Sequence, residues 1–250
     1  MIKVNIIMSV YNSLPTLSSC LKSIFSQSYK NWQMILVDDG SNDGSELLIN
    51  KIRDERVIVL RNDLNKGLAY SLNRAINLCN AEYIARVDSD DIQLPNRLSD
   101  QINFLESNPE VDILYSSAYM KSSKKISKLN IPTSHKDISS ILKKRNCILH
   151  PTVMFRKSFF KKYGLYNPTF RRAQDYELWL RALKKGAVFN GINKPLIHYE
   201  TKNYAWPYKT LLRHTFSRFR IFFKYQKLNS IKYLIIDIIH PYFLKLISFF

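Results

Sequence analysis

Apolar residues in the first hundred positions come in short runs, separated by stretches with helical spacing. The run VNIIMSV (4–10) has the continuity of a buried strand. Pro15 opens a stretch in which Leu17, Leu21, Ile24 and Phe25 fall on one side of a helix. WQMILVDDGS (32–41) reads as a second strand closed by a turn, ELLINKI (46–52) as a short helix, and RVIVLRN (56–62) as a third strand. Gly67 precedes LAYSLNRAINLC, whose Leu68, Leu72, Ala75, Ile76 and Cys79 recur at helical spacing. EYIARV (82–87) is a fourth strand, and Pro95 opens a helix with Leu98, Ile102 and Leu105 on its inner face.

Strands alternating with helices imply βαβ units and a central, mostly parallel sheet flanked by helices, an α/β architecture. Such sheets take ligands outside the carboxyl ends of their strands, where strand order reverses. The tail of the first strand carries Ser9, Tyr11 and Asn12, that of the second Asp38 and Asp39, and that of the fourth Asp88 and Asp90. All three sets are therefore expected at one edge. Beyond residue 110 the pattern loosens. VDILYSSAYM (111–120) and HPTVMFR (150–156) read as strands, and SKKISKLNIP as a basic strand or loop. DYELWLRALKKG (175–186) reads as a helix with Tyr176, Trp179, Leu180 and Leu183 aligned, lysines in its last turn and Gly186 ending it. Short strands are expected at 187–191 and 195–200.

Asp88, Asp90 and Asp91 stand within four residues at the end of an apolar run. Three uncompensated carboxylates in a confined site are costly unless a divalent cation or a basic partner balances them. Magnesium takes one or two protein carboxylates together with substrate phosphate oxygens, so a metal here would join the protein to a diphosphate. A solvated turn, or a cap on the helix near Pro95, is the plainer reading of the same residues. Arg86 either balances the cluster or faces solvent. Arg171 and Arg172 either contact phosphate or form a solvated pair, and Trp179 belongs to the core. No GxGxxG surrounds Gly67 and no GxxxxGK[ST] occurs, which argues against dinucleotide-binding and P-loop enzymes.

Charge adds an asymmetry. The net charge of the 250 residues is +18. Residues 1–100 hold 11 of the 38 Lys/Arg and 12 of the 20 Asp/Glu, so the basic excess lies in the remainder and favours anionic partners. Cys20, Cys79 and Cys147 show no zinc spacing and read as small hydrophobes in a reducing compartment. The start, MIKVNIIMSVYN, lacks a signal peptide's features, so the catalytic part is expected in the cytoplasm.

Six segments in order, MSVYNS, LVDDGSNDGS, NKGLA, ARVDSDD…LPNRL, HPTVMFR and QDYELWLR, resemble the family 2 glycosyltransferases, inverting enzymes of GT-A fold that use nucleotide-sugars. The resemblance covers roughly residues 3–200. It implies a GT-A domain over 1–203, with a nucleotide-binding half to about 110 and an acceptor half after it. It also implies a nucleotide-sugar donor, with a UDP-sugar as the commonest type, and a glycan or lipid-linked oligosaccharide acceptor. On the donor side it places Ser9, Tyr11, Asn12, Asp38, Asp39 and Gly67. Asp88-Ser89-Asp90 matches the family's DxD, with Asp88 and Ser89 near ribose and sugar, Asp90 the chief ligand of Mg2+ or Mn2+ and Asp88 a second, and Asp91 supporting the loop. Asp175 matches the catalytic base of the "ED" motif, although Gln174 stands where Glu is commoner, which puts the role of position 174 in doubt. His150, Arg172 and Gln174 are the acceptor-side candidates. At a helix start the dipole would weaken Asp175 as a base, whereas burial and nearby carboxylates would strengthen it. Sugar-phosphate nucleotidyl transfer is the alternative enzyme reading; it would leave Asp175 without a use.

The tail 204–250 changes character. On a helical wheel of WPYKTLLRHTFSRFRIFFKYQK (206–227), Leu212, Phe216, Phe219 and Phe223 form an apolar stripe beside Arg213, Arg220, Lys224 and Lys227. Arg218, Ile221 and Tyr225 break the pattern. The apolar remainder is interrupted by Asp237, His240, Pro241 and Lys245, which argues against a membrane span. An amphipathic helix on an anionic membrane surface is expected, at the inner face of the plasma membrane; packing on its own domain or an oligomer contact is the plainer reading of the same residues. A nucleic-acid-binding protein is the competing reading of the basic tail, but no RNA or DNA motif appears and no nucleic acid is expected.

Overall fold

The computed structural model describes residues 2–121, 125–200 and 208–225. The first strands are β1 (Val4–Val10), β2 (Trp32–Asp38), β3 (Val57–Arg61), β4 (Tyr83–Asp88) and β5 (Ile92–Gln93). Between and after them lie helices α1 (Leu14–Phe25), α2 (Ser45–Ile49), α3 (Leu68–Leu78) and α4 (Arg97–Ser107). The second half holds β6 (Ile113–Lys121), β7 (Ile126–Lys128), α5 (His135–Leu142), a 3-10 turn at His150–Thr152, β8 (Met154–Arg156) and α6 (Ser158–Tyr163). It closes with α7 (Gln174–Lys184), β9 (Phe189–Glu200) and α8 (Tyr208–Tyr225). The expectations for Lys227, for the apolar remainder beyond it, and for the side chains of Leu212 and Arg213 lie outside the described residues.

One sheet runs in the order β3-β2-β1-β4-β8-β6-β9-β5, with β7 paired to β6. Strands β3, β2, β1 and β4 are mutually parallel. From β8 onward the sheet is mixed: β8 is antiparallel to both β4 and β6, while β6 and β9 are parallel. Alternation along β1 feeds a core on each face. Ile7 joins Ile35, Leu72, Ile76 and Trp179 on one side. Ile6 and Met8 join Leu17, Ile24, Met34 and Leu98 on the other. A strand covered on both faces is apolar at most positions and not at alternate ones, which is why β1 appears as a nearly continuous run broken only by Asn5 and Ser9.

Several differences from the sequence reading have local causes. HPTVMFR does not begin as a strand. Pro151 opens the 3-10 turn, Thr152 Oγ1 donates to Leu149 O at 2.7 Å, and pairing starts only at Met154. The two short strands expected near the end are one strand, β9. Its register against β6 shifts where Pro195 meets Ser117, because proline offers no N–H to the ladder. Helices α5 and α6 and the two-residue β5 were not anticipated. Among the described residues no helix is long and apolar enough to cross a membrane.

Candidate functional site

The parallel strands fan out from β1, with β2 on one side and β4 on the other, so order reverses between them. Register brings their ends level: Ser9 lies opposite Asp88, and Val10 opposite Asp38. Beyond β1, Tyr11 is exposed and Asn12 adopts a positive φ of 49°, which asparagine tolerates better than most residues. Asn12 N–H donates to Ser41 Oγ at 3.2 Å, and its Oδ1 accepts from Asn42 N–H at 3.0 Å. The tail of β1 is thus laced to the loop after β2.

Asp38 and Asp39 are both buried. Asp38 Oδ1 accepts from Ser41 N–H at 2.9 Å and closes the turn, with Arg61 Nε 3.6 Å from its other oxygen. Asp39 accepts from Asn62 Nδ2 at 2.6 Å, Lys66 N–H at 2.9 Å and Gly67 N–H at 2.9 Å. Three of its roughly four acceptor positions are therefore used within the chain, and Asp39 holds the loop that leads into α3. Gly67 has φ 96°, and a Cβ there would lie 2.5 Å from Arg171 Nη1. Arg171 clasps the same turn by donating to Lys66 O at 2.9 Å.

At the end of β4 the carboxylates meet a buried cation. Arg86 is 1% exposed, and both its η nitrogens donate to Asp88, Nη1 to Oδ2 at 2.6 Å. Burial pushes the Asp88 carboxyl up and Arg86 pulls it down, while Asp90 and Asp175 push it up again. A second buried arginine, Arg97, lies beneath, donating to Gln101 Oε1 at 3.1 Å and to the Arg86 carbonyl at 2.7 Å. Burial lowers its pKa to about 9, which leaves it charged at neutral pH. Ser89 Oγ lies 2.7 Å from Ser13 Oγ, and its carbonyl accepts from Thr16 Oγ1 at 3.0 Å, so α1 helps to fix the loop. Short β5 pins its far side against β9.

One ligand oxygen each from Asp88, Asp90 and Asp91 lie within 4.8 Å of one another. Asp91 is 1% exposed, its Oδ2 has no hydrogen-bond partner, and burial pushes its pKa up to about 8, with Asp88 and Asp90 adding to the rise. Oxygen donors at this spacing, one of them buried without a donor, suit a hard divalent cation.

Across a cavity of about 330 Å³ from Asp88 stands Asp175, in the first turn of α7. Ala173 before it takes φ 54°, which turns the chain into the helix. Asn146 Nδ2 donates to Asp175 Oδ2 at 2.9 Å. Burial raises the Asp175 pKa against the helix-start N–H groups, Asn146 and Arg86. The tension between dipole and burial is thus settled in favour of burial. His150 lines the same cavity, hydrogen-bonded through Nε2 to Tyr166 Oη at 2.8 Å, and burial pushes its pKa well down, so it is neutral. Arg172 and Gln174 also reach this cavity. Asp90 instead lines a second cavity of about 270 Å³ with Lys121, His198 and Glu200. Asp39 lines neither; it bears on the site through the Lys66–Gly67 turn, next to Leu68 in the first cavity wall.

Two lining residues were missed in the sequence. Asn146 lies 29 positions from Asp175, in an irregular loop with no pattern to mark it. Arg218 belongs to α8 and was set aside because it broke the apolar stripe. It reaches the Asp175 cavity with its guanidinium carbon 4.6 Å from the Tyr176 ring centroid. Ile221 and Phe222 are buried beside it, and Tyr225 Oη donates to Glu177 Oε1 at 2.6 Å. The residues that broke the stripe are those that face the domain.

Known proteins share this architecture. TarS of S. aureus in complex with UDP-GlcNAc superposes with a TM-score of 0.71 at 18% identity over 96% of this chain and 72% of that one. The mannosyltransferase PcManGT of Pyrobaculum calidifontis, in complex with GDP-Man and Mn2+, superposes with a TM-score of 0.65 at 17% identity over 96% and 68%. Both likenesses establish a shared GT-A fold. The Escherichia coli protein UDP-Glc:alpha-D-GlcNAc-diphosphoundecaprenol beta-1,3-glucosyltransferase WfaP is 34% identical over 192 residues, 76% of this chain and 74% of its own length. Residues 5–164 match the family described as Glycosyl transferase family 2, and the chain, a glycosyltransferase of GT-A fold, belongs to that family.

Proposed function

We propose that the protein transfers a sugar from a nucleoside diphosphate sugar, most simply a UDP-sugar, to a hydroxyl of a glycan or lipid-linked saccharide, with inversion. The observation that carries this reading is the shared cavity: Asp88 on one wall and Asp175, its pKa raised by burial, on another. Asp175 takes the proton of the acceptor hydroxyl as that oxygen attacks the anomeric carbon. Asn146 keeps its carboxylate oriented. Asp88, Asp90 and Asp91 would hold Mg2+ or Mn2+, which when bound neutralises charge on the departing diphosphate. Ser9, Tyr11, Asn12 and the Asp38–Asp39 turn form the nucleoside side, Asp39 by fixing the Lys66–Gly67 turn. In this reading residues 1–110 bind donor and 111–203 receive acceptor. The complexes of TarS with UDP-GlcNAc and of PcManGT with GDP-Man and Mn2+ support a nucleotide-sugar donor, and the name of WfaP supports a diphospholipid-linked acceptor.

A thermal-shift screen of nucleotide-sugars with Mn2+, followed by product analysis, tests the reaction. Release of a nucleoside diphosphate is expected; release of inorganic pyrophosphate would establish nucleotidyl transfer instead.

The outward face of α8 supports docking on an anionic bilayer. Phe216 and Phe223 are 67% and 78% exposed, next to Phe219, Arg220 and Lys224. Arg220 also donates to Thr169 and covers Phe170, which fixes the helix in place. Each phenylalanine entering the interface contributes about 1.5–3 kcal/mol, and the basic residues attract anionic headgroups. The double variant Phe216→Ser, Phe223→Ser is expected to partition onto phosphatidylglycerol vesicles at least about a hundredfold less than the parent. Equal flotation of the two proteins would remove this face from any membrane role.

A further inference from the structure

His150 opens the 3-10 turn before β8, and its ring is fixed by two aromatic neighbours and a hydrogen bond. Tyr166 lies tilted beside it at 5.5 Å between ring centroids, and Trp179 of α7 meets it edge-on at 5.8 Å. Its Nε2 is 2.8 Å from Tyr166 Oη. Tyr166 is held in turn from α3: Asn73 Nδ2 donates to its carbonyl at 2.8 Å, and Asn73 Oδ1 accepts from its N–H at 3.0 Å. The bond between the two rings selects a tautomer. Tyr166 is 1% exposed, and among the described residues its hydroxyl has no hydrogen-bond partner besides His150. If Nε2 carried the proton, the phenolic O–H would stay buried and unpaired, which is costly. With that O–H donating to a bare Nε2, both groups are satisfied, and the proton of the neutral ring sits on Nδ1. The ring is neutral because burial and the nearby Arg86 both oppose its charged form. His150 lines the Asp175 cavity, and with Nε2 given to Tyr166 the nitrogen it can present there is Nδ1, as a donor.

The reaction decides what that donor meets. In a single in-line displacement the base and the departing diphosphate lie on opposite faces of the anomeric carbon, with the transferred sugar between them. Asp88, at the diphosphate end, and Asp175, the base, stand on different walls of this cavity, so the space between them is that of the transferred sugar. A neutral N–H held in one direction suits a neutral oxygen, and a sugar ring offers hydroxyls. We propose that His150 sets donor specificity: its Nδ1–H, fixed by Tyr166, donates to a hydroxyl oxygen of the transferred sugar. This rests on the reading of Asp175 as the base of glycosyl transfer. Tyr166 is then a positioning residue, acting through the imidazole, and His150 is the point at which the second half of the chain reaches over to the donor. A site that hydrogen-bonds a hydroxyl discriminates against sugars that lack it, because its own polar group is then left unpaired.

The test uses the full chain, as parent, Tyr166→Phe, His150→Asn and His150→Gln, with Mn2+ in excess throughout. Asparagine can place an N–H donor where Nδ1 stands, and glutamine where Nε2 stands. With the histidine ring nitrogens labelled by 15N, NMR spectra of the parent are expected to show Nδ1 protonated and Nε2 bare for His150, whose signals are those lost in His150→Asn. In Tyr166→Phe that preference is expected to give way to a mixture of tautomers. Calorimetry then measures UDP-glucose and UDP, or the pair selected by the screen above. His150→Gln is expected to bind UDP-glucose about tenfold more weakly than the parent, and His150→Asn to fall between. Binding of UDP is expected to stay within about twofold in both variants, which also reports that they fold. An Nε2-protonated ring in the parent overturns the proposal. Equal binding of UDP-glucose by parent and variants, or an equal loss in the Asn and Gln variants, overturns it as well. So does a matching loss for UDP and UDP-glucose in variants that circular dichroism shows to be folded. Failure of the parent to bind any nucleoside diphosphate defeats the reading of glycosyl transfer, and this proposal with it; a parent that binds nucleotide but fails the tautomer or the Asn–Gln comparison defeats the proposal alone.

Discussion

Asp175→Asn is expected to keep its affinity for nucleoside diphosphate and to lose about 100- to 10,000-fold in turnover, the range supplied by a positioned general base. Asparagine has nearly the same shape, and its Oδ1 can still accept from Asn146 Nδ2, the donor that now binds Asp175 at 2.9 Å. It carries no charge, so it escapes the penalty of burying a carboxylate that raises the Asp175 pKa, and this offsets the backbone N–H bond that the amide nitrogen cannot accept. What disappears is the acceptor for the hydroxyl proton. The pH profile provides a second signature. A base works only when deprotonated, so parental turnover should fall as pH drops through a value above the ordinary carboxylate range, because burial has moved the Asp175 pKa upward. The residual activity of the variant should lack that limb. Steady-state kinetics with the donor chosen by the screen gives both readings, and turnover of Asp175→Asn within a few fold of the parent would take the residue out of the mechanism.

Much of this site was legible because its parts sit at the ends of simple patterns. The runs that became β1, β2 and β4 are mainly apolar since both sheet faces are covered, and their tails carry Ser9, Asp38 and Asp88 at matched levels. Parallel topology brings those tails together before any side-chain contact is considered. Helix α7 was likewise marked by its stripe and by Gly186 beyond its end. What stayed hidden depends on contacts between distant positions. Arg86 could have faced solvent; in the fold it is buried, paired with Asp88 and with its carbonyl held by Arg97 from α4. Asp39 looked free to meet a ligand, yet Asn62, Lys66 and Gly67, all more than twenty positions away, take most of its capacity. The start of α5 did carry a local mark, since Ser134 Oγ accepts from Asp137 N–H at 3.1 Å in a Ser-x-x-Asp cap. Arg218 shows the limit of a helical wheel. The wheel separates two faces but cannot say which one meets protein, and on α8 the cleaner apolar stripe is the exposed one.

Asp90→Ala is expected to weaken Mn2+-dependent binding of nucleoside diphosphate about a hundredfold or more, since even outer-shell partners of metal ligands contribute about 10- to 100-fold. Three carboxylates supply oxygens here, but they are not equivalent. Both oxygens of Asp88 already receive Arg86, which balances that charge from within the protein. Asp91 is almost wholly enclosed, and its raised pKa favours the protonated form until a cation or base displaces the proton. Asp90 is only partly buried and lines an open cavity, so it is the carboxylate best placed to meet a cation arriving with a diphosphate. Removing it also relieves repulsion on Asp88 and Asp91, because both are pushed up in pKa by its charge. The variant should therefore fold at least as well as the parent in EDTA, while losing the increment in nucleotide affinity that Mn2+ provides. Calorimetry of UDP binding with Mn2+ and with EDTA, for parent and Asp90→Ala, separates the two effects. Equal binding by the parent in both media would mean that the aspartate cluster serves the loop and not the donor, and that the buried arginines alone offset its charge.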